Sequence, residues 1–225
     1  YFGGWSKKGT IEEIPPPETT LKKGIYYLFK DTPQSVIVTG MFAPAKNNAD
    51  FYPFTLLDFI LGSGGFRSRI FQEIRTNQGL AYSAGSFYKA KSDYGVFGTY
   101  AMTKSESTGK VLSFLSSLSD KIKIEPLKPE ELDWAKKSIK NSFIFSFGST
   151  EQTARQQMLL EFDKMPSDYL SKYQEKINKV KIEDLKNVFS NYFSMAGTIT
   201  LVAGKENDFE QPVSSTKKLR KSIIF

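Results

Sequence analysis

An arginine and a tyrosine lie close together in this sequence, and both side chains can act on peptide oxygens. Arg75 and Tyr82 are seven positions apart, and Gly79 between them lets the chain turn from a predicted helix into a predicted strand. A guanidinium is planar and permanently charged, so it suits peptide carbonyls or a terminal carboxylate. A tyrosine hydroxyl can donate to an oxygen on which negative charge develops. Spacing alone nevertheless favours a helix-capping arginine and a packed tyrosine.

The sequence contains no histidine and no cysteine, and this excludes several kinds of active site. Without histidine there is no Ser-His-Asp triad and no His-x-x-Glu-His zinc helix. Without cysteine there is no disulfide, no thiolate nucleophile and no cysteine metal site. Any chemistry that this chain performs alone must use carboxylates, lysine, tyrosine or arginine.

A glycine-rich segment, Gly62, Ser63, Gly64 and Gly65, precedes the predicted helix that carries Arg75. Such a segment can expose backbone amides to an anion. It lacks the Gly-Lys-Ser/Thr ending of a phosphate-binding loop, so we do not expect nucleotide binding. The alternative is a tight turn between two elements that needs a positive φ.

Adjacent carboxylates occur at positions 12–13, 130–131 and 183–184. Neighbouring residues on a helix do not share a face, and acidic residues are favoured in first turns by the helix dipole. We therefore predict structural roles for these pairs. Trp5 and Trp134 are predicted to pack rather than to bind a ligand.

The composition is that of a folded chain with a basic surface. The 225 residues are 40% apolar and 14% aromatic, which is enough for a substantial core in one large or two small domains. The net charge is +7, with lysines concentrated at 176–186 and 217–221. A solvated lysine-rich face is the favoured interpretation, because nucleic-acid binding would rest on charge alone.

No targeting or membrane segment is expected. No run approaches the roughly 18 apolar residues of a membrane span, and the polar start at Tyr1 is unlike a signal peptide. The missing initiator Met indicates a piece cut from a longer protein. We expect a soluble protein of the bacterial cytoplasm or periplasm, between which the sequence does not decide.

Hydrophobic periodicity predicts an α+β fold, an antiparallel-rich sheet with helices packed on one face. The predicted strands are 25–30, 35–42, 81–89, 95–102 and 198–203. Helices are predicted at 51–61, at 66–75 with Phe66, Ile70 and Ile74 in one stripe, and at 150–163, 168–178 and 182–193. Another helix is predicted to begin at Pro129, with the apolar positions Leu132, Ile139 and Phe143 following its first turn. One further helix carries the stripe Val111, Leu115, Leu118 and Ile122.

Residues 61–75 read LGSGGFRSRIFQEIR and residues 76–83 read TNQGLAYS. This block resembles the second half of pitrilysin/insulinase-like zinc peptidases, in which a glycine-rich turn precedes a helix ending in Leu/Ile-Arg and a Gly-Leu-x-Tyr strand follows. The opening Phe-Gly-Gly-Trp and the proline run at 15–17 are similar to the family's inter-half linker. The late helices at 168–170 and 177–188 and the strand at 198–203 agree as well.

The resemblance implies one half of a clamshell that closes around a peptide substrate. The family's first half binds zinc, whereas the second half lacks the metal and lends an Arg and a Tyr to the substrate; Arg75 and Tyr82 match that pair. We thus expect no cofactor in this chain, zinc on a homologous partner half, and no activity alone. In the processing-peptidase branch a longer glycine-rich loop handles substrate, which makes residues 62–65 a candidate substrate loop.

The expected organisation is an inter-half linker at 1–23, the inactive-half domain at 24–210 and a basic tail at 211–225. The leading hypothesis is the substrate-binding, non-catalytic half of a zinc metalloendopeptidase. The alternative is an inert scaffold or assembly subunit of the same fold, like the respiratory-complex core subunits. The expected partners are the zinc-bearing half, on the same polypeptide or a separate one, and a peptide, with no nucleic acid and no membrane span.

Overall fold

A computed structural model describes residues 24–193 and 198–205, the backbone of residues 216–218, and the single residues Gly4, Ser6, Gly9 and Pro15. Apart from these positions, the predicted linker 1–23 with Trp5 and the predicted tail 211–225 lie outside the described residues. The prediction of their roles therefore stays a prediction.

The described residues form one sheet of six strands. These are β1 (Gly24–Phe29), β2 (Gln34–Ala43), β3 (Ala81–Ala90), β4 (Gly95–Lys104), β5 (Ile199–Gly204) and the short β6 (Thr216–Lys218), which falls within the predicted tail. Their order across the sheet is β3-β4-β2-β5-β1-β6. β2 is antiparallel to β4 and β5, β3 is antiparallel to β4, and β1 is parallel to β5 and β6. The predicted antiparallel-rich sheet is confirmed.

Eight α-helices lie in the described part of the chain. They are α1 (Phe51–Asp58), α2 (Arg69–Phe71), α3 (Thr108–Ser116), α4 (Leu118–Ile124), α5 (Pro129–Phe143), α6 (Thr150–Phe162), α7 (Tyr169–Lys179) and α8 (Ile182–Tyr192). Two π-helical segments, Phe59–Ser63 and Gln72–Asn77, extend α1 and α2. Short 3₁₀ turns occur at Gly65–Arg67, Ser105–Ser107 and Ile144–Phe147.

The core lies between the helices and one face of the sheet, because alternate strand residues point towards the helix layer. Phe54 of α1 is fully buried and its ring centre lies 5.6 Å from that of Phe97 on β4. The largest fully buried side chains come from both layers: Ile37, Phe54, Leu56, Leu57, Ile60, Leu61, Ile70, Ile74, Val111, Ile177, Leu185 and Val188. The predicted helix layer on one face is thus confirmed.

Two helix predictions need correction, each at a serine. Ser68 is extended (ψ 149°) and its hydroxyl donates to the Gly65 carbonyl, so the predicted helix 66–75 begins only at Arg69. Phe66 is therefore outside the buried stripe and 71% exposed. Ser117 separates α3 from α4 where one helix was predicted, because its hydroxyl donates to the Phe114 carbonyl at 3.0 Å. The predicted stripe is nevertheless buried on both helices.

Candidate functional site

Arg75 lies in the last turn of the π-helical segment Gln72–Asn77, where the chain turns back towards the sheet. Gly79 makes this turn with φ +62°, in the left-handed region that glycine adopts without a Cβ clash. The turn is closed by hydrogen bonds from the Gly79 amide to the Arg75 carbonyl (3.1 Å) and from the Leu80 amide to the Ile74 carbonyl (2.9 Å). Because Ile74 is fully buried, this anchors the end of the helix on which Arg75 lies.

Tyr82 lies in an irregularity at the start of β3. Ala81 pairs with Thr103 and Ser83 pairs with Met102, so Tyr82 is the extra residue of a β-bulge. A bulge redirects the side chain of the inserted residue and is common beside functional sites. Ala81 is buried, whereas the next residue, Tyr82, is 79% exposed. The bulge therefore presents this ring to solvent.

The structure brings Arg75 and Tyr82 into contact. The Arg75 Cζ atom lies 5.0 Å from the centre of the Tyr82 ring, 4.9 Å from that of Phe71 and 6.0 Å from that of Phe66. These distances are those of cation–π contacts. Within the described residues no acceptor bonds to the Arg75 guanidinium, which leaves its N–H donors available to a ligand.

Arg69, one and a half turns earlier, shows what a structural arginine does here. Its guanidinium makes a bidentate pair with Glu131 (2.7 and 2.6 Å) and also donates to the Glu125 and Pro126 carbonyls. Burial alone would raise the pKa of Glu131, but hydrogen bonds from Arg69 and the Lys128 amide lower it below its usual range. Arg69 thus joins α2 to the start of α5 by hydrogen bonds, whereas the Arg75 guanidinium makes no such hydrogen-bonded link within the described residues.

The glycine-rich segment serves close packing and a tight turn. A Cβ on Gly62 would overlap the backbone nitrogen of Ser86, so only glycine lets this segment lie against β3. Gly64 is similarly close to the ring of Trp134, which packs 5.0 Å from Phe59 as predicted. Gly65 has φ +73°, in agreement with the predicted positive-φ turn. The role of residues 62–65 as a substrate loop stays a prediction.

Asp58 is a buried carboxyl that the sequence analysis did not single out. It is 6% exposed and accepts a hydrogen bond from the Ser86 hydroxyl at 2.5 Å. Burial raises its pKa to about 6, against hydrogen bonds from Ser86 and Ser63 that lower it. Asp58 thus ties the end of α1 to Ser86 of β3, the residue whose backbone Gly62 approaches. The signal was a lone acid in the apolar run of residues 51–61.

Among the residues that the structure describes, none are grouped in a way that fits a zinc site. The whole sequence lacks histidine and cysteine, and the described residues contain no group of three acidic side chains that could hold a metal. No helix in the described ranges is both long enough and apolar enough to cross a bilayer.

Comparison with known proteins identifies one matching family and several relatives of this chain. Residues 1–139 match the family described as peptidase M16 inactive domain. An uncharacterized zinc protease, YmxG of Bacillus subtilis, is 23% identical over 211 residues, covering 92% of this chain and 50% of that protein. A non-peptidase homolog YmxG of Helicobacter pylori is 34% identical over 142 residues, covering 60% of this chain and 31% of that protein. This chain spans half or less of these curated relatives.

Solved structures agree on the fold. A peptidase M16 inactive domain from Pseudomonas fluorescens superposes with a TM-score of 0.75 at 21% identity, covering 93% of this chain and 48% of that one. A chain of complex III2 from Candida albicans superposes with a TM-score of 0.73 at 16% identity, covering 88% of this chain and 50% of that one. At such identities the likeness shows the fold alone.

Proposed function

The chain belongs to the family of peptidase M16 inactive domains, and from this premise we propose that it is the substrate-binding half of a zinc metalloendopeptidase. The zinc lies on a second, homologous half, either on the same polypeptide or on a separate subunit. That half supplies the metal-dependent chemistry, and this chain supplies contacts to the peptide. In this proposal residues 24–210 form the domain, 1–23 the linker and 211–225 the tail.

The state of Arg75 is the observation that carries the proposal. Its guanidinium is held by the rings of Phe71 and Tyr82, yet no acceptor in the described residues uses its donors. A planar cation fixed in this way can grip a peptide carbonyl or a terminal carboxylate with two parallel hydrogen bonds. Arg75 therefore fixes the peptide beyond the bond that is cut.

Tyr82 completes the site by its hydroxyl. Its ring is exposed at the bulge and its hydroxyl is free to approach a bound carbonyl. A donor aimed at the oxygen on which charge develops stabilises the transition state more than the ground state, and losing one such donor costs on the order of a hundredfold in rate. The Arg75 guanidinium lies against the rings of Phe66, Phe71 and Tyr82, and these contacts keep Tyr82 beside Arg75. The two donors can therefore act on one peptide.

The test is a peptidase assay on this chain, on its zinc-bearing partner half, and on the two mixed in the presence of zinc. The expected result is cleavage in the mixture alone, lost when the chain carries Arg75→Ala or Tyr82→Phe. Full activity of the partner half by itself, or unchanged turnover with either variant, would contradict the proposal. Arg155→Ala, which truncates an exposed arginine of α6, is the control for general effects of removing an arginine.

An inert scaffold is the second candidate, and one relative favours it. The Helicobacter pylori relative, 34% identical over 142 residues, is described as a non-peptidase homolog. Under this alternative the chain would assemble with its partner half without contributing to cleavage. A mixture that forms a stable complex but stays inert with zinc present would put the scaffold ahead.

A further inference from the structure

A cavity lies next to the glycine-rich segment, between several helices. Its volume is about 500 Å³, and its walls come from the turn Gly65–Arg67, the segment Gln72–Asn77 and residues of α2, α3, α4 and α5. The buried side chains of Phe114, Leu118 and Ile122 make part of this lining apolar. The cavity is therefore large enough for a side chain or a short stretch of peptide, and part of its wall suits aliphatic groups.

All but one of the charged side chains that line this cavity are engaged in ion pairs. The pairs are Arg69 with Glu131 (2.6 Å), Lys121 with Glu73 (3.9 Å) and Glu125 with Lys128 (3.2 Å). The exception is Arg67, whose guanidinium has no acceptor within the described residues. Each acid of the lining thus has a cation beside it, and one positive charge is left over.

Arg67 is held by an aromatic ring and not by an anion. Its Cζ atom lies 5.0 Å from the centre of the Trp134 ring, the distance of a cation–π contact. Trp134 is itself fixed, because the Phe59 ring packs 5.0 Å from it and the Gly64 backbone approaches it closely. A guanidinium stacked on a ring keeps the N–H donors at its edge free, and a carboxylate can accept two of them in parallel. Arg67 is therefore oriented in advance for a planar anion.

The turn that carries Arg67 also reaches the site of Arg75. The ring of Phe66, the residue before Arg67, is 71% exposed and its centre lies 6.0 Å from the Arg75 Cζ atom. The Gln72 side chain donates to the Phe66 carbonyl, which fastens the turn to the segment on which Arg75 lies. Consecutive Cα atoms are only about 3.8 Å apart. A peptide held by Arg75 therefore needs only to pass Phe66 to reach Arg67.

We infer that this cavity is a second subsite for the peptide, in which Arg67 binds a carboxylate of an acidic side chain or of a chain end. The inference rests on the proposed function in one respect, that a peptide binds at Arg75. A carboxylate fits because the unpaired charge of the lining is a cation with parallel donors, and the apolar wall can pack against the methylene groups next to it. A basic side chain would instead meet a like charge, so the subsite selects acidic peptides.

Fluorescence anisotropy of labelled peptides tests this preference on the chain mixed with its zinc-bearing half, with zinc removed so that nothing is cleaved. The probes are short peptides of alanine and serine: one amidated with a central Glu, one amidated with Gln in its place, and the Gln peptide with a free C-terminal carboxylate. We expect one or both carboxylate-bearing probes to bind about tenfold more tightly than the amidated Gln peptide, as for a charge-assisted hydrogen bond. The tighter probe identifies the source of the carboxylate. Equal Kd values for all three, or no binding, would overturn the inference.

Arg67→Gln tests whether this residue recognises the carboxylate. The Arg67 side chain is exposed and makes no hydrogen bond within the described residues, so the variant should fold with nearly the parent's thermal midpoint. The preference for a carboxylate should disappear, while the Kd of the amidated Gln peptide stays as it was. Arg155→Gln, which changes an exposed arginine of α6, should keep the full preference. A preference that survived Arg67→Gln would overturn the inference.

The outcomes separate this inference from the proposed function. Arg75→Ala should weaken the binding of the two amidated peptides alike and leave the ratio of their Kd values unchanged. If Arg75→Ala bound and cleaved peptides normally but the carboxylate preference depended on Arg67, the proposed role of Arg75 would fail and the second subsite would stand. If Arg75→Ala were inert but Arg67→Gln kept the preference, the reverse would hold.

Discussion

The Arg75 guanidinium lies 5.0 Å from the centre of the Tyr82 ring, although the two residues belong to a π-helical turn and a strand. Two local irregularities create this contact. Gly79 reverses the chain with a positive φ, and the bulge at the start of β3 turns Tyr82 outward beside the arginine. The contact is the basis of the first two predictions.

Tyr82→Phe keeps the ring beside Arg75 and removes only the hydroxyl. We expect the turnover of the two-half mixture to fall by roughly a hundredfold with a smaller change in KM, because the hydroxyl acts mainly in the transition state. The stability of the chain should not change, since this side chain is 79% exposed. Steady-state kinetics and urea unfolding of the same preparation check both parts. A loss confined to KM would indicate simple substrate contact instead.

Arg75 and Arg69 should respond in opposite ways to truncation. Arg69→Ala breaks a half-buried pair with Glu131 and frees two carbonyls, so we expect a loss of about 2 kcal/mol or more in the free energy of unfolding. Arg75→Ala removes ring contacts alone and should cost less than about 1 kcal/mol. Urea unfolding of both variants measures this difference, and equal losses would contradict the separation of roles.

The contribution of Asp58 to the free energy of unfolding should decline as the pH rises. Its pKa is about 6 in the folded chain against an ordinary value of 3.8, so the folded state holds the proton more tightly. Its contribution is most favourable below pH 4 and is lost as the pH rises to about 6, by roughly 2 to 3 kcal/mol. Asp58→Asn removes this titration and keeps an acceptor for Ser86. We expect the variant to exceed the parent in stability at pH 8 and to match it at pH 4.

The prediction concerns the difference in the free energy of unfolding between Asp58→Asn and the parent chain at each pH. This difference isolates Asp58, because the other carboxyls titrate equally in both chains. Thermal or urea unfolding from pH 4 to pH 8 gives the two curves. A difference that did not vary with pH would show that the burial of Asp58 does not shift its pKa.

Substitution by alanine should lower the free energy of unfolding more at Gly62 than at Gly79. Alanine at Gly62 would overlap the Ser86 backbone, which cannot move without disrupting β3, so we expect a loss of about 3 kcal/mol or more. Alanine at Gly79 meets no atom of the described residues within 4 Å and has only its positive φ to tolerate, which costs about 1 kcal/mol. Urea unfolding compares the two. A Gly62→Ala chain as stable as the parent would contradict the close approach.

Much of this organisation could be predicted from the residues themselves. Alternation and helical periodicity predict the strands and most helices to within a residue or two, because burying one face of each element is a local pattern. The breaks at Ser68 and Ser117 were missed, since a serine hydroxyl that bonds to its own backbone competes with a helix only by local geometry. The missing histidines and cysteines exclude a His-x-x-Glu-His zinc helix and any cysteine metal site in this chain, whatever the fold.

The tertiary structure decided which groups meet. The sequence places Arg75 and Tyr82 near each other, but their contact depends on a bulge that exists only when β3 pairs with β4. Likewise, Arg69 and Arg75 read alike in the sequence. Distant groups distinguish them, because Glu131 and the Glu125 and Pro126 carbonyls accept from Arg69, whereas no acceptor among the described residues bonds to Arg75. The burial of Asp58 also arises from packing between distant strands and helices. Local patterns fix the elements, whereas long-range contacts determine the environment of each charge.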